Sequence, residues 1–373
     1  MNTFLGHHGS IGIRTNWYRS SMAGGRDDDI TDLIGDATQS LNQDATTSPW
    51  TLKGDTVEPD VFSRYVDYVI PEMVLIGPDG EETPYQLGLH RIVQTPKKHP
   101  TSGTTGGFVT EDMAAVLGRF QLTSNYTVSA SGSDVTSLIV GILLSVGFTA
   151  AQIAIPAITK MPSADTAYYP GDSWRTVINN TLQSVGYRNI YMDRSGRLTT
   201  SPQIDLRYET PVVTYDNGDV IGTVDEDHDD SRLRNFVAVR RITPGLPTIT
   251  ATASNTDPSS PLYIYGPVGM LAGLPIDDPA IADQATAQAI ADAELSYGSS
   301  FYSKASIKTV PDPNLGLFDV VSLDIRDAAN NVQLDGTWLR RTVELPLPVE
   351  VKKLARGMSC SLNRTTPFAL GGA

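Results

Sequence analysis

The sequence predicts a mainly β protein of the α+β class, in which two β-rich regions flank a shorter helical region. The 32 glycines and 24 prolines among 373 residues provide frequent turns, which is typical of β structure. Short apolar runs follow one another before residue 126 and after residue 205, whereas apolar positions three and four residues apart mark residues 126–205. A chain of this length exceeds one ordinary core, so we expect domains at 1–125, 126–205 and 206–373.

The clearest strand signal of the first region is the apolar run Val69–Ile76. Pro71 cannot donate to a ladder, so the run predicts an edge strand or a bend at this point. The following Pro78–Gly80 predicts a tight turn, because proline presets φ and glycine accepts a positive φ. The strand Tyr85–Gln94 and a polar loop over Pro96–Gly107 are expected next.

Two helices of similar design are predicted in the second region. Ser133 is expected to cap the first and Gly147 to end it, while Asp172 and Gly186 bound the second. A hairpin with a left-handed glycine is expected at Asp193–Gly196. The apolar positions that share one face are Val135, Leu138, Ile139, Ile142, Leu143 and Val146 in the first helix, and Trp174, Val177, Ile178, Leu182 and Val185 in the second.

The third region predicts strands with one inserted alanine-rich helix at 279–297. Pro279 would occupy its first position behind Asp278, and Gly298 would close it. Its predicted packing stripe is Ala282, Ala285, Ala289 and Ala293. The pair Asn217-Gly218 predicts a hairpin. Strands are expected at Asn235–Ile242, Pro247–Ala253, Ser306–Val310, Asp319–Ile325, Gly336–Leu345 and Met358–Leu362.

Charge and cysteine content restrict the classes of function. The net charge of −14 and the absence of a basic stripe argue against a nucleic-acid-binding protein. The lone Cys360 cannot form an internal disulfide or complete a thiolate zinc site, and we see no secretory signal. The uncharged stretch Leu138–Ile158 is interrupted by Gly141, Gly147 and Pro156, so it predicts a buried helix and then a strand, not a membrane span.

The acidic cluster Asp225–Asp230 is the richest group of potential metal ligands. Alternate carboxylates suit calcium, but Asp230 stands where a calcium loop needs glycine and Phe236 where it needs glutamate. A solvated acidic loop is the simpler interpretation. Binding of a cation there is left open.

The other candidate groups match no known catalytic pattern. They are His7, His8 and Ser10, which lack a nucleophile elbow; Lys97, Lys98 and the loop Gly103–Gly107, where lysine precedes the glycines; and His90 and His99, which have no partner at metal spacing. We therefore predict no catalytic, cofactor-binding or metal-binding residue. Two carboxylates brought together in space would escape such a search.

Several passages resemble the tail hub, or baseplate hub, proteins of long-tailed bacteriophages. Their order along residues 126–325 carries the resemblance, because no single motif is specific. The passages are Tyr126–Thr136, Tyr169–Trp174, Ser184–Tyr187, Ile190–Leu198, Asn235–Val239, Asn255–Pro261, Ala285–Leu295, Val310–Leu315 and Phe318–Val321.

This resemblance implies two barrel-like β domains, one within 1–125 and one within 206–373, with a small helix-containing α+β domain at 126–205. It implies a homotrimer whose six barrels surround a channel beneath the hexameric distal tail ring. The expected partners are the distal tail ring protein and other tail-tip or fibre proteins. Genomic DNA would pass through the acidic channel without specific binding. We expect the protein at the virion tail tip after assembly in the host cytoplasm, without stable membrane insertion.

Two other functions stay open from the sequence. One is a β-rich surface adhesion module that binds glycans, against which the lack of a signal peptide counts. The other is a cell-wall hydrolase that depends on carboxylates. Measurement of the oligomeric mass separates the hub from a monomeric adhesin, and an assay of peptidoglycan turnover separates it from the hydrolase.

Overall fold

The computed structural model describes residues 12–42, 49–58, 60–62, 67–99, 105–132, 134–227, 233–300, 303–309, 311–313, 316, 318–327, 329–350, 352–353 and 358–365. Strands dominate these residues, and four α-helices accompany them. This confirms the predicted α+β, mainly β class.

The first region contributes nine strands to one large sheet and ends in a short helix. The turn predicted at Pro78–Gly80 joins two of these strands, and Gly80 adopts a φ of 83°. The elements are β1 (Gly12–Ser20), β2 (Asp28–Asp29), β3 (Ile34–Asn42), β4 (Trp50–Thr56), β5 (Tyr68–Ile76), β6 (Glu82–Gln86), β7 (His90–Gln94), β8 (Lys97–Lys98), β9 (Thr105–Asp112) and α1 (Met113–Leu117).

The edge or bend predicted at Pro71 is wrong, because β5 runs through it between β1 on one side and β6 and β7 on the other. Pro71 lies opposite Trp17, whose N–H donates to the Thr31 hydroxyl and not to β5. The Pro71 carbonyl accepts from Leu87, which follows the end of β6. Because no neighbouring strand needs an N–H donor at Pro71, the proline removes no hydrogen bond from the ladder. A central strand can therefore contain it.

Residues 126–199 contain both predicted helices and the predicted hairpin. In the hairpin, Gly196 has a φ of 81° and donates to the Asp193 carbonyl at 3.0 Å. The buried faces are Val135, Ile139, Ile142 and Leu143 of the first helix and Val177, Ile178 and Leu182 of the second, while Leu138 and Trp174 are partly buried. The elements are β10 (Tyr126–Val128), α2 (Val135–Ser145), β11 (Thr166–Tyr168), α3 (Trp174–Ser184), β12 (Tyr191–Met192) and β13 (Leu198–Thr199).

Both helices begin one residue later than their predicted caps imply. The Asp134 carboxylate accepts from the Ser137 N–H at 2.8 Å and caps α2 in place of Ser133, which lies outside the described residues. The Ser173 hydroxyl caps α3, because the Asp172 carboxylate is occupied by the Tyr169 N–H of the preceding turn. Adjacent residues that cap equally well made this position ambiguous.

The uncharged stretch 138–158 is buried on one face, through residues such as Ile139, Ile142 and Leu143, while Leu144 on another face is exposed. No helix among the described residues is long and apolar enough to cross a membrane. The strand predicted after α2 is instead a 3₁₀ turn, Ala150–Gln152, and an extended segment with one bridge to Leu198. The Gln152 side chain accepts from the Thr149 N–H at 2.9 Å and donates to the Met22 carbonyl, which holds the turn in place.

The third region contributes strands to the large sheet and forms a separate small sheet. The hairpin predicted at Asn217-Gly218 is wrong, since the strand before it pairs in parallel with a strand more than 100 residues later. The elements are β14 (Val213–Asp216), β15 (Asp225–Asp227), β16 (Phe236–Arg241), β17 (Ile249–Ser254), β18 (Ile276–Asp277), α4 (Gln284–Ser299), β19 (Lys304–Thr309), β20 (Val320–Arg326), β21 (Val332–Leu347), β22 (Lys352–Lys353) and β23 (Met358–Arg364).

The long strand β21 joins the two β-rich regions. It pairs with β20 and β23 of its own region and with β3 of the first, from Thr342 opposite Asn42 to Leu347 opposite Ala37. The main path of pairing is β15-β19-β23-β21-β3-β4-β9-β7-β5-β1-β2. This path is open, and the described strands close no barrel. The two β regions therefore share one sheet.

Residues 233–300 form an insertion with its own small core. Helix α4 packs on the sheet β17-β16-β18. The core consists of Val237, Val239, Ile249, Ala251, Ala253, Ile281, Ala287, Ile290, Ala291 and Leu295. A much larger core cluster contains residues from Ile13 to Leu362 and so draws on all three predicted domains. The division at 125 and 205 stays a prediction.

The helix predicted at 279–297 is displaced to Gln284–Ser299. Asp283 caps it by accepting from the Thr286 N–H at 2.7 Å, whereas the Asp278 carboxylate binds the Ala280 N–H in a separate turn. Gly298 does not close the helix but lies inside it, and the close approach of Arg234 leaves no room for a side chain there, since a Cβ would be 2.8 Å from the Arg234 Cβ. The buried face is rotated from the predicted stripe, so that Ala285 and Ala289 are exposed.

We expect Ile142→Ala in α2 to lower the free energy of unfolding by about 2–5 kcal/mol, since it leaves a cavity in the core. Ile142 is 5% exposed, and its neighbour Leu144 is 48% exposed. Leu144→Ala is the matched control and should change the stability by less than about 1 kcal/mol. Urea denaturation followed by circular dichroism measures both. Equal losses in the two variants would contradict the assignment of Ile142 to the core.

Candidate functional site

Carboxylates occupy both ends of the main sheet path. The terminal strand β2 consists of Asp28 and Asp29, and β15 at the other end consists of Asp225, Glu226 and Asp227. All five are exposed. Charged edge strands repel further strands, so these residues protect the sheet from uncontrolled pairing.

The acidic cluster Asp225–Asp230 is exposed where it is described, as predicted, but it is not a loop there. Asp225–Asp227 pair antiparallel with β19, and Glu226 accepts from the Ser303 hydroxyl at 2.8 Å. Residues 228–230 lie outside the described residues. No group of three or more potential metal-ligating side chains occurs in the part of the chain that the structure describes.

His90 and Asp112 face each other across β7 and β9. Both are fully buried. The His90 Nε2 lies 3.0 Å from the Leu87 carbonyl, to which it donates. The Asp112 carboxylate accepts from the N–H groups of Trp50 and Ala115 at 3.0 and 2.8 Å, and so caps α1. Both side chains therefore bind backbone groups in the interior, where Asp112 joins the start of β4 to the start of α1.

Burial moves the pKa values of this pair in opposite directions. It lowers the pKa of His90 to about 4, and the hydrogen bond to Leu87 opposes this only in part. Burial also raises the pKa of Asp112 to about 6, although the hydrogen bonds from the N–H groups of Trp50 and Ala115 act to lower it. Desolvation disfavours the charged form of each group.

The remaining sequence candidates do not converge. Lys97 and Lys98 pair with Gly106 and Thr105 in a β ladder, and residues 103–104 of the loop Gly103–Gly107 lie outside the described residues. Lys97 makes an ion pair with Asp60, and His99 is exposed. Cys360 is buried, and burial raises the pKa of its thiol to about 11, which makes it unreactive. His7, His8 and Ser10 lie outside the described residues.

A buried arginine is the strongest polar feature that the sequence did not reveal. Arg340 is fully buried in β21. Its Nη2 donates to the Gly316 carbonyl, and its Nε and Nη1 have no hydrogen-bond partner among the described residues. Burial and then repulsion from Arg340 lower the pKa of Arg194 to about 9. In the sequence, residues 340–341 are only a pair of adjacent arginines. Nothing nearby indicates that Arg340 is buried, because its burial depends on the strands packed around it.

An apolar loop, residues 262–274, lies within the connection from β17 to β18 and exposes large side chains. Tyr265 is 75%, Val268 45%, Met270 56% and Leu274 91% exposed. The same insertion exposes Ile242 and Leu246, so it holds six of the thirteen large hydrophobic side chains that are exposed among the described residues. Such a concentration makes the apolar loop a candidate interaction surface.

The buried side chain of Asn235 holds the apolar loop in one shape. Its Nδ2 donates to the carbonyls of Leu262 and Gly269 at 3.1 and 2.7 Å, and its Oδ1 accepts from the Leu271 N–H at 2.7 Å. Gly266 and Gly269 each close a tight turn, and Gly269 has a φ of 65°. The sequence signal for this surface was the absence of any charged residue from 258 to 276.

We expect His90→Gln to flatten the dependence of stability on pH. The folded pKa of His90 is lowered, so below pH 6.5 the unfolded state binds its proton first, and wild-type stability falls as the pH falls towards 4. The variant should lose about 2–3 kcal/mol less than the wild type between pH 7 and 4.5. Asp112 acts in the opposite sense, because its raised pKa favours folding at low pH and that contribution is lost as the pH rises through about 6.

Urea denaturation at a series of pH values measures this effect. Asp112 is present in both proteins, so its contribution cancels in the comparison. Parallel profiles for wild type and His90→Gln would show that His90 is not buried as a neutral group.

Comparison with known proteins assigns the fold. No family model matches the chain, and no curated protein matches it in sequence. The tail protein from Neisseria meningitidis MC58 is similar in structure, with 14% identity, a TM-score of 0.59, and coverage of 93% of this chain and 96% of that one. The 43 kDa tail protein of prophage MuSo2 from Shewanella oneidensis gives 11% identity, a TM-score of 0.56, and coverage of 94% and 98%. The chain therefore has the fold of phage tail proteins, which confirms the resemblance seen in its sequence.

Proposed function

We propose that this chain is the hub at the tip of a phage tail, a structural protein and not an enzyme. The observation that carries the proposal is the fold shared with two tail proteins over more than nine-tenths of each chain. Fold alone does not establish function, so the site must agree with it. The buried, structural use of His90 and Asp112 and the unreactive thiol of Cys360 agree with a structural role.

In the proposed assembly, three copies surround a channel. Three chains satisfy six equivalent positions of a hexameric distal tail ring only if each chain presents two comparable surfaces. Two β-rich regions joined by β21 and β3 could present those surfaces. The partners would be the distal tail ring protein and other tail-tip or fibre proteins, on a virion assembled in the host cytoplasm.

The charge of the chain supports passage of DNA without binding. With a net charge of −14 and acidic strands at both sheet ends, the protein repels phosphates. A channel lined by such subunits would let the genome pass. The helical region, residues 126–205, would brace the ring from outside.

We expect the purified protein to form a trimer of about 121 kDa, three times the chain mass of 40.2 kDa. Light scattering coupled to size-exclusion chromatography measures this mass. Electron microscopy of intact particles should then place the trimer at the tail tip, and antibody labelling identifies it there. A stable hexamer, or a protein found along the tail tube, would contradict the hub.

We also expect no turnover of purified peptidoglycan or host polysaccharide, because the proposed hub is a structural protein and the sequence matches no catalytic pattern. Release of reducing sugars measures turnover, with a lysozyme as positive control. Hydrolysis that one carboxylate-to-amide substitution abolishes would establish the enzyme instead. Saturable binding of glycans by a monomer would favour the adhesion module.

A further inference from the structure

We propose that the apolar loop, residues 262–274, is the surface by which one copy of this chain binds the next. The inference rests on the proposed trimer and adds the site of contact to it. In a ring, one surface of each subunit contacts a different surface of the next subunit. A single loop per chain can therefore supply one side of every contact.

The first argument is that the loop is rigid as well as apolar. Three hydrogen bonds of the fully buried Asn235 side chain and two successive tight turns fix its backbone. Tyr265, Met270 and Leu274 nevertheless remain more than half exposed. An ordered loop loses little conformational entropy when it binds, so this arrangement is suited to forming an interface.

The second argument concerns charge and favours an identical chain as the occupant. Two copies that each carry a net charge of −14 repel each other over most of their surfaces. Residues 258–276 contain no charged side chain, so two copies can approach there without that repulsion. A basic partner would be attracted instead to the acidic strands β2 and β15 at the ends of the sheet.

The third argument is the position of the loop in the fold. It lies on the insertion 233–300, whose core is separate from that of the large sheet. Ala272 bridges to Phe236, and Ile276 pairs with Val239, so the loop runs along the edge of the small sheet. Leu274 lies on this edge between the two pairings and is 91% exposed.

The test is the mass of the full-length protein after Met270→Asp and Leu274→Asp are introduced together. A buried charge opposes association strongly, so we expect the trimer to weaken by at least about 100-fold and to dissociate at micromolar concentration. Val57→Asp is the matched control, since Val57 is 64% exposed in the first region and should leave the trimer intact. A milder pair, Met270→Ser with Leu274→Ser, should weaken association in the same direction. Thermal melts establish that each variant is folded.

The outcomes separate this inference from the proposed function. A trimeric wild type and a trimeric aspartate variant would overturn the loop as the contact and leave the hub standing. A monomeric wild type would overturn the trimer and the contact together. Dissociation by Val57→Asp as well would also overturn the inference, because the effect would then be one of general charge. A variant that stays trimeric but fails to enter tails would assign the loop to another tail protein.

Salt provides a second readout that needs no variant. Because the proposed contact is uncharged and the remaining surface is acidic, screening should strengthen the association as NaCl is raised from 50 to 500 mM. Mass photometry at several concentrations measures the change. A trimer that weakens several-fold with added salt would depend on ion pairs, and the inference would be wrong.

Discussion

The antiparallel pairing of β21 with β3 is the constraint on which the architecture depends. It brings together strands about 300 residues apart in the chain and converts two β-rich regions into one sheet. The sixteen residues of β21 also pair with β20 and β23, so the third region is built outward from the same strand. Contacts this distant in sequence form only after large loops close, which makes the joint dependent on the packing of both regions.

Buried polar side chains hold the irregular segments around that sheet. Asp112 links β4 to the start of α1 through the N–H groups of Trp50 and Ala115. Asn235 performs a similar function for the apolar loop of the insertion. Each satisfies backbone groups that no ladder could satisfy, which is the requirement for burying irregular chain. Arg340 is the exception, because two of its three guanidinium nitrogens find no hydrogen-bond partner in the part of the chain that the structure describes.

The surface divides into parts with different capacities for contact. Carboxylates at β2 and β15 discourage pairing at the sheet ends, where an unprotected edge would recruit other strands. The charge-free apolar loop does the opposite and offers a rigid surface for a defined neighbour. The proposed role in a virion requires both properties, since such a protein must assemble with its partners and with nothing else.

The sequence by itself determined the features that depend on neighbours within a few residues. These are the β-rich class, the buried faces of α2 and α3, and the hairpin closed by Gly196. It missed helix starts by one residue or more where adjacent residues such as Asp172 and Ser173 cap equally well. Tertiary structure alone decided that Pro71 sits in a central strand, that Gly298 lies inside α4 against Arg234, and that Arg340 is buried. It also decided the exposure of the apolar loop, because burial is a property of partners distant in sequence and periodicity reports only on nearby residues.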